Sequence, residues 1–415
     1  MTDRIVIIGG GLAGGNAAVT LRQDGFAGPV TLISREPGVP FGRPPLSKTY
    51  LRSEEDLGGW YVRPSAWYGE HEVERLDGEV TGIDAAARTV ALGSGAVLEY
   101  GRLLIATGGQ PHRLRLPGAG LDGVHYLRTV ADCEAIKAEA RPGRRAVVIG
   151  MGFIGCEVTA SLTQLGVDVT CVFGGRYPLE RVLGEQLGQV MAEIHRGQGV
   201  ELLAGDEAAG LEGDGRVSAV VTAGGTRLPC DFVVAGIGIA PEVPPVTGGT
   251  LDTGDGILTD GRCRTSLPDV WAAGDVASQL HPLYGRVRVE HYNNAEKQGA
   301  AVARSMLGSE APYDYLHTFW SDQYEHKLEY AGHATRWDQF VVRGYLENRD
   351  MIGFYLAGGV VRAAVGLNRG GDPELDKDSE MAASAMLVAR RAAPEPGALA
   401  DERTDLWSLI GAARR

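Results

Sequence analysis

Glycines at two places in the chain have the spacing that binds the phosphates of a dinucleotide. The first set is Gly9, Gly11 and Gly14, which follows an apolar run at 4–8 and precedes a helix-compatible segment. The first glycine permits a tight turn, the second lets the backbone approach a pyrophosphate, and the third lets the helix pack on the strand. The phosphates then face free N–H groups at the helix N-terminus. We include the intervening Leu12 and Ala13 in this predicted site.

The same pattern occurs a second time, between another buried strand and another helix. Its glycines are Gly150, Gly152 and Gly155, and Phe153 and Ile154 lie between them. One such motif is weak evidence in a glycine-rich chain, but two copies in the same local context are much stronger. The pair predicts two dinucleotide sites rather than two glycine-rich turns without ligands.

The residues that follow each second strand bear on how a ribose is bound. After the strand at 30–34, Glu36 is the acid we expect to accept hydrogen bonds from a ribose. After the strand at 168–172, Phe173-Gly174-Gly175-Arg176 contains no carboxylate. Arg176 would suit the 2′-phosphate of NADPH, or is a solvated loop residue. The choice between NADH and NADPH therefore stays open.

Three further glycine turns belong to the predicted sites. Buried strands end at Ala106-Thr107-Gly108 and at Gly236-Ile237-Gly238, where the chain can cross to another domain. A short apolar strand also precedes Gly274-Asp275, which we expect at the start of a helix. Asp275 would either accept hydrogen bonds from a sugar-alcohol chain or serve as an ordinary N-cap.

Composition excludes several classes of protein. The 415 residues include 60 glycines without a three-residue period, and the aliphatic content is ordinary, so collagen and general disorder are excluded. A formal net charge of −13 argues against nucleic acid as the main partner. The five cysteines are scattered, which predicts neither a disulfide framework nor a metal site. Without a signal-peptide pattern or a membrane-spanning run, we expect a cytoplasmic protein that does not bind membranes.

Taken together, these motifs resemble the two-dinucleotide-fold flavoprotein reductases. Arg43-Pro44-Pro45-Leu46-Ser47-Lys48 and Phe319-Trp320-Ser321-Asp322-Gln323-Tyr324 narrow the resemblance to the ferredoxin- and rubredoxin-reductase branch, which also contains the apoptosis-inducing-factor-like flavoproteins. The resemblance implies an α/β protein with two Rossmann-like domains, the second inserted in the first. The FAD domain would comprise 1–112 and 243–314, and the NAD(P)H domain 113–242. A C-terminal α+β domain would occupy 315–415, with a tail that is either mobile or docked through Trp407.

The resemblance also implies roles for individual residues. Lys48 would lie beside the flavin and stabilise negative charge there, with Glu157 orienting its amine. Trp320 would lie where the nicotinamide stacks. The further residues assigned to the FAD site on this basis are Arg43, His291 and Tyr292. Each has a plainer alternative: Lys48 as a surface lysine, Trp320 as a domain-interface aromatic, Arg43 as a loop arginine and His291 as a structural histidine.

The position of the cysteines separates two kinds of flavoprotein chemistry. No cysteine precedes Cys133, so thiol–disulfide exchange beside the flavin is disfavoured. We therefore expect an NAD(P)H-dependent reductase of a ferredoxin or rubredoxin that serves an oxygenase such as a cytochrome P450, acting as a monomer or homodimer. Arg286 and Arg288 are candidates for a basic docking face. The alternatives are a redox-responsive NAD(H)-binding flavoprotein of the apoptosis-inducing-factor type and a quinone or dye reductase.

Overall fold

The computed structural model of the protein describes residues 2–411. Met1 and 412–415, the ends of the predicted first and last domains, lie outside the described residues. The helices, in chain order, are α1 Leu12–Gln23, α2 Ser65–Glu70, α3 Val130–Glu139, α4 Phe153–Gln164, α5 Glu180–Gly197, α6 Tyr292–Met306, α7 Glu380–Ala389 and α8 Pro396–Ala400. Short 3-10 turns occur at Pro44–Ser47, Gly58–Trp60, Gly274–Val276 and Leu406–Leu409.

Between residues 2 and 411, the strands are short and fall into seven sheets. The strands of the first part of the chain are β1 Ile5–Ile8, β2 Val30–Ser34, β3 Val73–Asp77, β4 Val80–Asp84, β5 Thr89–Leu92, β6 Val97–Glu99, β7 Arg102–Ile105 and β8 Gly109–Pro111. Those of the middle part are β9 Val124–His125, β10 Arg145–Ile149, β11 Asp168–Phe173, β12 Glu201–Ala204, β13 Ala208–Asp214, β14 Arg216–Thr222, β15 Arg227–Pro229, β16 Phe232–Ala235, β17 Ile239–Pro241 and β18 Val246–Thr247. The last are β19 Thr253–Gly254, β20 Gly256–Thr259, β21 Val270–Ala272, β22 Ala277–His281, β23 Gly285–Arg288, β24 Thr318–Gln323, β25 His326–Gly332, β26 Gln339–Tyr345, β27 Asp350–Ala357 and β28 Val360–Leu367.

The first of two compact units contains 1–44, 56–110 and 239–315. Its central sheet is parallel, in the order β21-β7-β1-β2-β3. Strand β1 lies in the middle and is completely buried, as its unbroken apolar sequence predicts. Helices α1 and α6 pack so closely that a Cβ at Gly299 of α6 would overlap the Ala13 carbonyl group of α1. The unit therefore has the Rossmann-like parallel sheet expected around the first glycine motif, with α1 and α6 on one face and β4, β5 and β20 on the other.

The second unit contains 45–55, 111–238 and 316–415. It contains a second parallel sheet, in the order β12-β11-β10-β16-β9. Strand β10 lies at the centre of this sheet, and its apolar residues 146–149 are buried. A separate antiparallel sheet, β24-β25-β28-β27-β26, is covered by α7. The predicted α/β fold class, with an α+β part at the C-terminal side, is thereby confirmed. The boundaries of the three predicted domains stay a prediction.

The C-terminal tail is packed through a different residue from the one we expected. Leu399 and Leu406 are buried in the core of the antiparallel sheet domain, whereas Trp407 is 40% exposed. The expected docking through Trp407 is therefore wrong. The aspartate before this turn caps it, since Asp405 accepts a hydrogen bond from the Trp407 backbone N–H.

The helix that we expected at Gly274-Asp275 is a single 3-10 turn. It ends at Val276, and the chain then enters the mostly buried strand β22. Lys48 follows another 3-10 turn, Pro44–Ser47. Within residues 2–411, no helix is long and apolar enough to cross a bilayer.

Candidate cofactor and electron-transfer site

The first glycine motif forms a cradle that side chains would fill. Gly9 has a φ of 116°, and a Cβ there would overlap the Ala106 carbonyl oxygen on the neighbouring strand end. A Cβ at Gly14 would overlap the Gly9 carbonyl oxygen, so α1 can approach β1 only with glycine at this position. Gly11 is the N-cap of α1 and faces open space. The open face, bounded by the free N–H groups of Leu12 and its neighbours, has the form that a pyrophosphate needs.

The other predicted residues of the first site lie at the same edge of the sheet. Thr107 and Gly108 follow β7, and Gly108 has a φ of 69°. Gly274 follows β21, and its N–H donates to the Gln298 Oε1 of α6 over 2.7 Å. Asp275 comes next and is half-buried. Because parallel strands β1, β7 and β21 are neighbours, their carboxyl ends bring these turns together.

Glu36 and Arg43, which we predicted separately, form an ion pair. Arg43 Nη2 lies 2.7 Å from Glu36 Oε2, and both side chains are mostly buried. The guanidinium also lies over the Phe41 ring, with its carbon 5.2 Å from the ring centroid. The pair fixes the Glu36 carboxylate near the end of β2, where a ribose acid is expected.

The aromatic corner of the first unit contains one residue that the sequence did not single out. His291 is the N-cap of α6, and Tyr292 is its first residue. The Tyr292 ring meets Trp60 edge to face, with centroids 5.9 Å apart. Burial raises the pKa of Tyr292, so its hydroxyl stays protonated. No spacing rule connects Trp60 with Tyr292, because the two are 232 positions apart in the sequence.

The second glycine motif has the same construction in the second unit. Gly150 has a φ of 95°, and a Cβ there would lie 2.5 Å from the Gly236 carbonyl oxygen. A Cβ at Gly155 would overlap the Gly150 carbonyl oxygen, while Gly152, the N-cap of α4, faces open space. Gly238 follows β16 with a φ of 89°. A second dinucleotide phosphate group therefore fits at the N-terminus of α4.

Two apolar residues at the start of α4 differ in exposure. Ile154 is 46% exposed, which is unusual for an isoleucine in the first turn of a buried helix. Phe153 packs edge to face on Phe319, with centroids 4.9 Å apart. Phe319 in turn stacks on Tyr330 of β25. The phosphate-binding end of α4 is thus anchored on the strand that also carries Trp320.

Arg176 forms ion pairs with two acids of α5. Its guanidinium lies 2.5 Å from Glu185 and 3.6 Å from Glu180, and the side chain is 62% exposed. The hydrogen bond and charge of Glu185 raise the pKa of Arg176. An arginine that already pairs with two carboxylates is poorly placed to recognise a further phosphate.

Lys48 and Glu157 form a buried ion pair, which removes the alternative of a surface lysine. Lys48 Nζ lies 2.6 Å from Glu157 Oε2, and the two residues are 8% and 4% exposed. The Ser47 hydroxyl donates to the same oxygen over 2.6 Å, and the Ser321 hydroxyl donates to Oε1 over 2.7 Å. Both carboxylate oxygens are therefore satisfied, as an ionised group in a buried position requires.

A chain of hydrogen bonds continues from Glu157 into α5. Gln323 Nε2 donates to Ser321 Oγ over 3.2 Å, so the Gln323 Oε1 must accept from His195 Nε2 over 3.0 Å. His195 Nδ1 then accepts from the Tyr324 hydroxyl, also over 3.0 Å. Every donor in this chain points towards Glu157. The chain therefore holds the Ser321 hydroxyl in the orientation in which it donates to Glu157.

Trp320 lies in β24, next to Ser321, which belongs to the hydrogen-bond chain that ends at Glu157. It is half-buried and pairs across the sheet with Glu329. Asp322, two residues later on the same face, is hydrogen-bonded to Trp320 and lies near Lys48. Burial raises the pKa of Asp322, while the charge of Lys48 opposes that rise. In this network, sequence reasoning gave no individual role to Ser47, His195, Ser321, Asp322 or Gln323, although all except His195 lie in the two motifs quoted for the resemblance. Of these, Ser321 and Gln323 carry a signal, since they are polar residues on the buried face of an alternating strand.

Comparison with known proteins places the chain in a family. Residues 3–299 match the pyridine nucleotide-disulphide oxidoreductase family, and residues 318–410 match the reductase C-terminal family. A 5,5′-dehydrodivanillate O-demethylase ferredoxin reductase subunit from Sphingobium sp. (strain NBRC 103272 / SYK-6) is 39% identical over 88% of this chain and 90% of its own length. Putidaredoxin reductase from Pseudomonas putida is 34% identical over 99% of this chain and 98% of its own length.

A solved structure agrees with the sequence comparisons. The covalent putidaredoxin reductase–putidaredoxin complex matches with a TM-score of 0.91 and 34% identity, covering 99% of both chains. The predicted oxidoreductase class and the cofactors FAD and NAD(P)H are confirmed by these matches. The chain is a member of the pyridine nucleotide-disulphide oxidoreductase family that carries a reductase C-terminal domain.

Proposed function

We propose that the protein takes a hydride from NADH or NADPH and passes electrons one at a time to a ferredoxin that serves an oxygenase. The observation that carries this proposal is the pair of glycine cradles of identical construction, one in each compact unit. Relatives that match nearly the whole chain are named ferredoxin reductases or putidaredoxin reductase. The bound FAD would supply the conversion between a two-electron donor and a one-electron acceptor.

The residues of the first unit would hold the FAD. The α1 N-terminus from Gly11 to Gly14 would bind its pyrophosphate, and the Glu36 carboxylate would accept from a ribose hydroxyl. Arg43 would keep that carboxylate in place, because the two are already paired. The remaining proposed contacts are Gly9, Leu12, Ala13, Ala106, Thr107, Gly108, Gly274, Asp275, His291 and Tyr292.

The residues of the second unit would hold the nicotinamide nucleotide and stabilise the negative charge that forms on the flavin. The proposed contacts of the α4 loop and β16 are Gly150, Gly152, Phe153, Ile154, Gly155, Gly236 and Gly238. Lys48 would supply a fixed positive charge where hydride transfer makes the flavin more negative, and Glu157 would hold the ammonium in one orientation. Trp320, attached to the same strand as Ser321, would limit access to the reacting ring. Arg176, an exposed residue that pairs with Glu180 and Glu185, would contact the 2′-phosphate if the nucleotide were NADPH.

The electron carrier, the oligomeric state and the cellular location are further parts of the same proposal. A rubredoxin is the alternative carrier, and both a monomer and a homodimer are compatible with the function. Five unpaired thiols, all buried, suit the reducing cytoplasm. The location is tested by fractionating cells of the source organism and following the protein with an antibody.

The test is anaerobic stopped-flow reduction of the purified yellow protein, followed by mixing with a ferredoxin. We expect flavin bleaching within about a second by at least one nucleotide and rapid reoxidation by the carrier. Slow bleaching with a long-lived complex of oxidised nicotinamide would favour the redox-responsive binding protein. Rapid reoxidation by a quinone or dye, but not by any ferredoxin or rubredoxin, would favour the third alternative. No bleaching by either nucleotide would overturn the proposal.

A further inference from the structure

The carboxyl end of β11 lacks the acid that ordinarily binds the adenosine ribose. The strand ends at Phe173, which is buried, and Gly174 and Gly175 follow without side chains. In a dinucleotide fold this position follows the second strand and lies near the ribose bound to the first helix. The chain therefore leaves space where other dinucleotide folds place a side chain.

A carboxylate from another loop enters that space. Glu207 Oε1 lies 2.6 Å from the point where a Cβ of Gly174 would be, and its Cγ lies 3.2 Å from the same point. With glycine at 174, the Glu207 side chain can therefore occupy this space without moving. Glu207 belongs to the connection between β12 and β13, 33 residues after Gly174.

The loop that carries Glu207 is fixed on both sides. The Gly205 N–H donates to the carbonyl oxygens of Phe173 and Gly175, over 3.0 and 2.9 Å. The Ala223 N–H donates to the Glu207 carbonyl oxygen over 2.7 Å. Asp206 accepts from the backbone N–H groups of Glu207 and Gly224 over 2.9 and 3.0 Å. Glu207 is therefore attached to the end of β11 before any ligand binds.

The charged side chains around Gly174 differ in whether they already have a partner. Within residues 2–411, the Glu207 carboxylate has no hydrogen-bond or ion-pair partner, and the residue is exposed. Arg176, the cation in the loop after β11, is paired with Glu180 and Glu185. A ribose with two hydroxyl groups can donate to a free carboxylate, whereas a 2′-phosphate would be repelled by it.

We propose that Glu207 is the ribose-binding acid of the nicotinamide nucleotide site and makes the protein selective for NADH over NADPH. The proposal rests on the proposed function, since it assumes that the α4 cradle binds the nicotinamide nucleotide. It assigns the selectivity to a residue that follows β12, not to one that follows β11. Glu207 contacts the adenosine end only, so it acts on binding and not on the hydride step.

The test compares Glu207→Gln and Glu207→Arg with the unmodified holoenzyme, using a small dye as electron acceptor. We expect the unmodified protein to favour NADH at least about tenfold in kcat/KM. Glu207→Gln should lower that ratio about tenfold through KM, with kcat at saturating NADH within about twofold. Glu207→Arg should shift the preference towards NADPH. Glu193→Gln, an exposed acid on α5, is the matched control and should leave the ratio unchanged.

A second measurement isolates the adenosine end of the nucleotide. Adenosine 5′-monophosphate should inhibit the unmodified protein better than adenosine 2′,5′-bisphosphate, and Glu207→Arg should reverse that order. An NADH to NADPH ratio that stays within about twofold in both variants would overturn the role of Glu207, as would an unmodified protein that prefers NADPH. Absence of dye reduction with both nucleotides in the unmodified holoenzyme would instead contradict the proposed function.

Discussion

At the scale of single residues, Lys48 has two proposed roles: it stabilises the fold by pairing with Glu157, and it supplies positive charge to the flavin. A single substitution at Lys48 would affect both roles at once. Removing Lys48 alone leaves an uncompensated buried carboxylate, which costs about 3–5 kcal/mol of stability. A slow Lys48→Met variant would therefore prove little about chemistry. Replacing both partners, as Lys48→Met with Glu157→Gln, removes the charge while keeping the volume.

We predict that this double variant unfolds at nearly the temperature of the unmodified protein and retains FAD. Its flavin reduction by NADH should nevertheless be slower by at least about tenfold, because the fixed positive charge is gone. Thermal unfolding, the flavin absorbance and stopped-flow reduction measure the three quantities. Lys377→Met, at an exposed lysine, is the control. Unchanged reduction in the double variant would remove Lys48 from the mechanism.

At the scale of elements, His195 joins α5 to β24 and gives that contact a pH dependence. Burial lowers the pKa of His195 to about 4, below its ordinary value of about 6.5. Above the ordinary value the side chain is neutral in both states and contributes no pH dependence. As the pH falls below it, the unfolded chain takes up a proton that the folded chain refuses, so stability is lost.

We predict that His195 costs the protein about 2 kcal/mol of unfolding free energy between pH 7 and pH 5. His195→Gln should be less stable than the unmodified protein at pH 7 but should lack this share of the pH dependence. Urea unfolding of both proteins at the two pH values measures the difference. Parallel losses in both proteins would show that His195 does not titrate as its burial requires.

The elements around the two cradles were predictable because their signals are local. Buried parallel strands such as Ile5–Ile8 need an unbroken apolar run, and the turn that follows needs glycine at fixed positions. The same holds for the C-terminal sheet, where β24 and β26 alternate and β27 and β28 are mostly apolar runs. The turn at Gly274 was misjudged because Gly-Asp is compatible with either a helix or a single turn, and the buried strand that follows decides between them.

The contacts that complete the candidate site were not predictable, because they join distant segments. Ser321 is 164 residues from Glu157, and His195 is 128 residues from Gln323. Glu207 reaches Gly174 only because β11 and β12 are parallel neighbours, with Phe173 opposite Ala204. Spacing along one strand or helix contains no information about such contacts. The missing acid after β11 was visible in the sequence, but the loop that supplies one was not.

At the scale of the whole molecule, the net charge of −13 must be reconciled with an acidic carrier such as a ferredoxin. Arg286 and Arg288, our candidates for a basic docking face, are engaged within the first unit. Arg286 donates to the carbonyl oxygens of Thr259 and Ser278, and Arg288 pairs with Asp255 and Glu290. We therefore no longer assign the docking face to them.

We predict that docking still depends on a local basic surface and is sensitive to salt. Raising the salt concentration from about 50 to about 300 mM should slow reduction of the ferredoxin severalfold, because surface charges are screened over shorter distances. Reduction of a small neutral dye should change by less than about twofold over the same range. Equal salt dependence for the carrier and the dye would contradict electrostatic docking.

The five cysteines also have a consequence for how the molecule can be observed. Every thiol is buried and unpaired, and burial raises the pKa of Cys133, Cys171 and Cys263 to about 12 each. A thiol reagent can therefore modify a given sulfur only when its surroundings open. Cys263 lies in the first compact unit and the other four lie in the second. The native sequence thus carries its own probes of local opening, and the order in which the sulfurs are labelled ranks the two units by their stability.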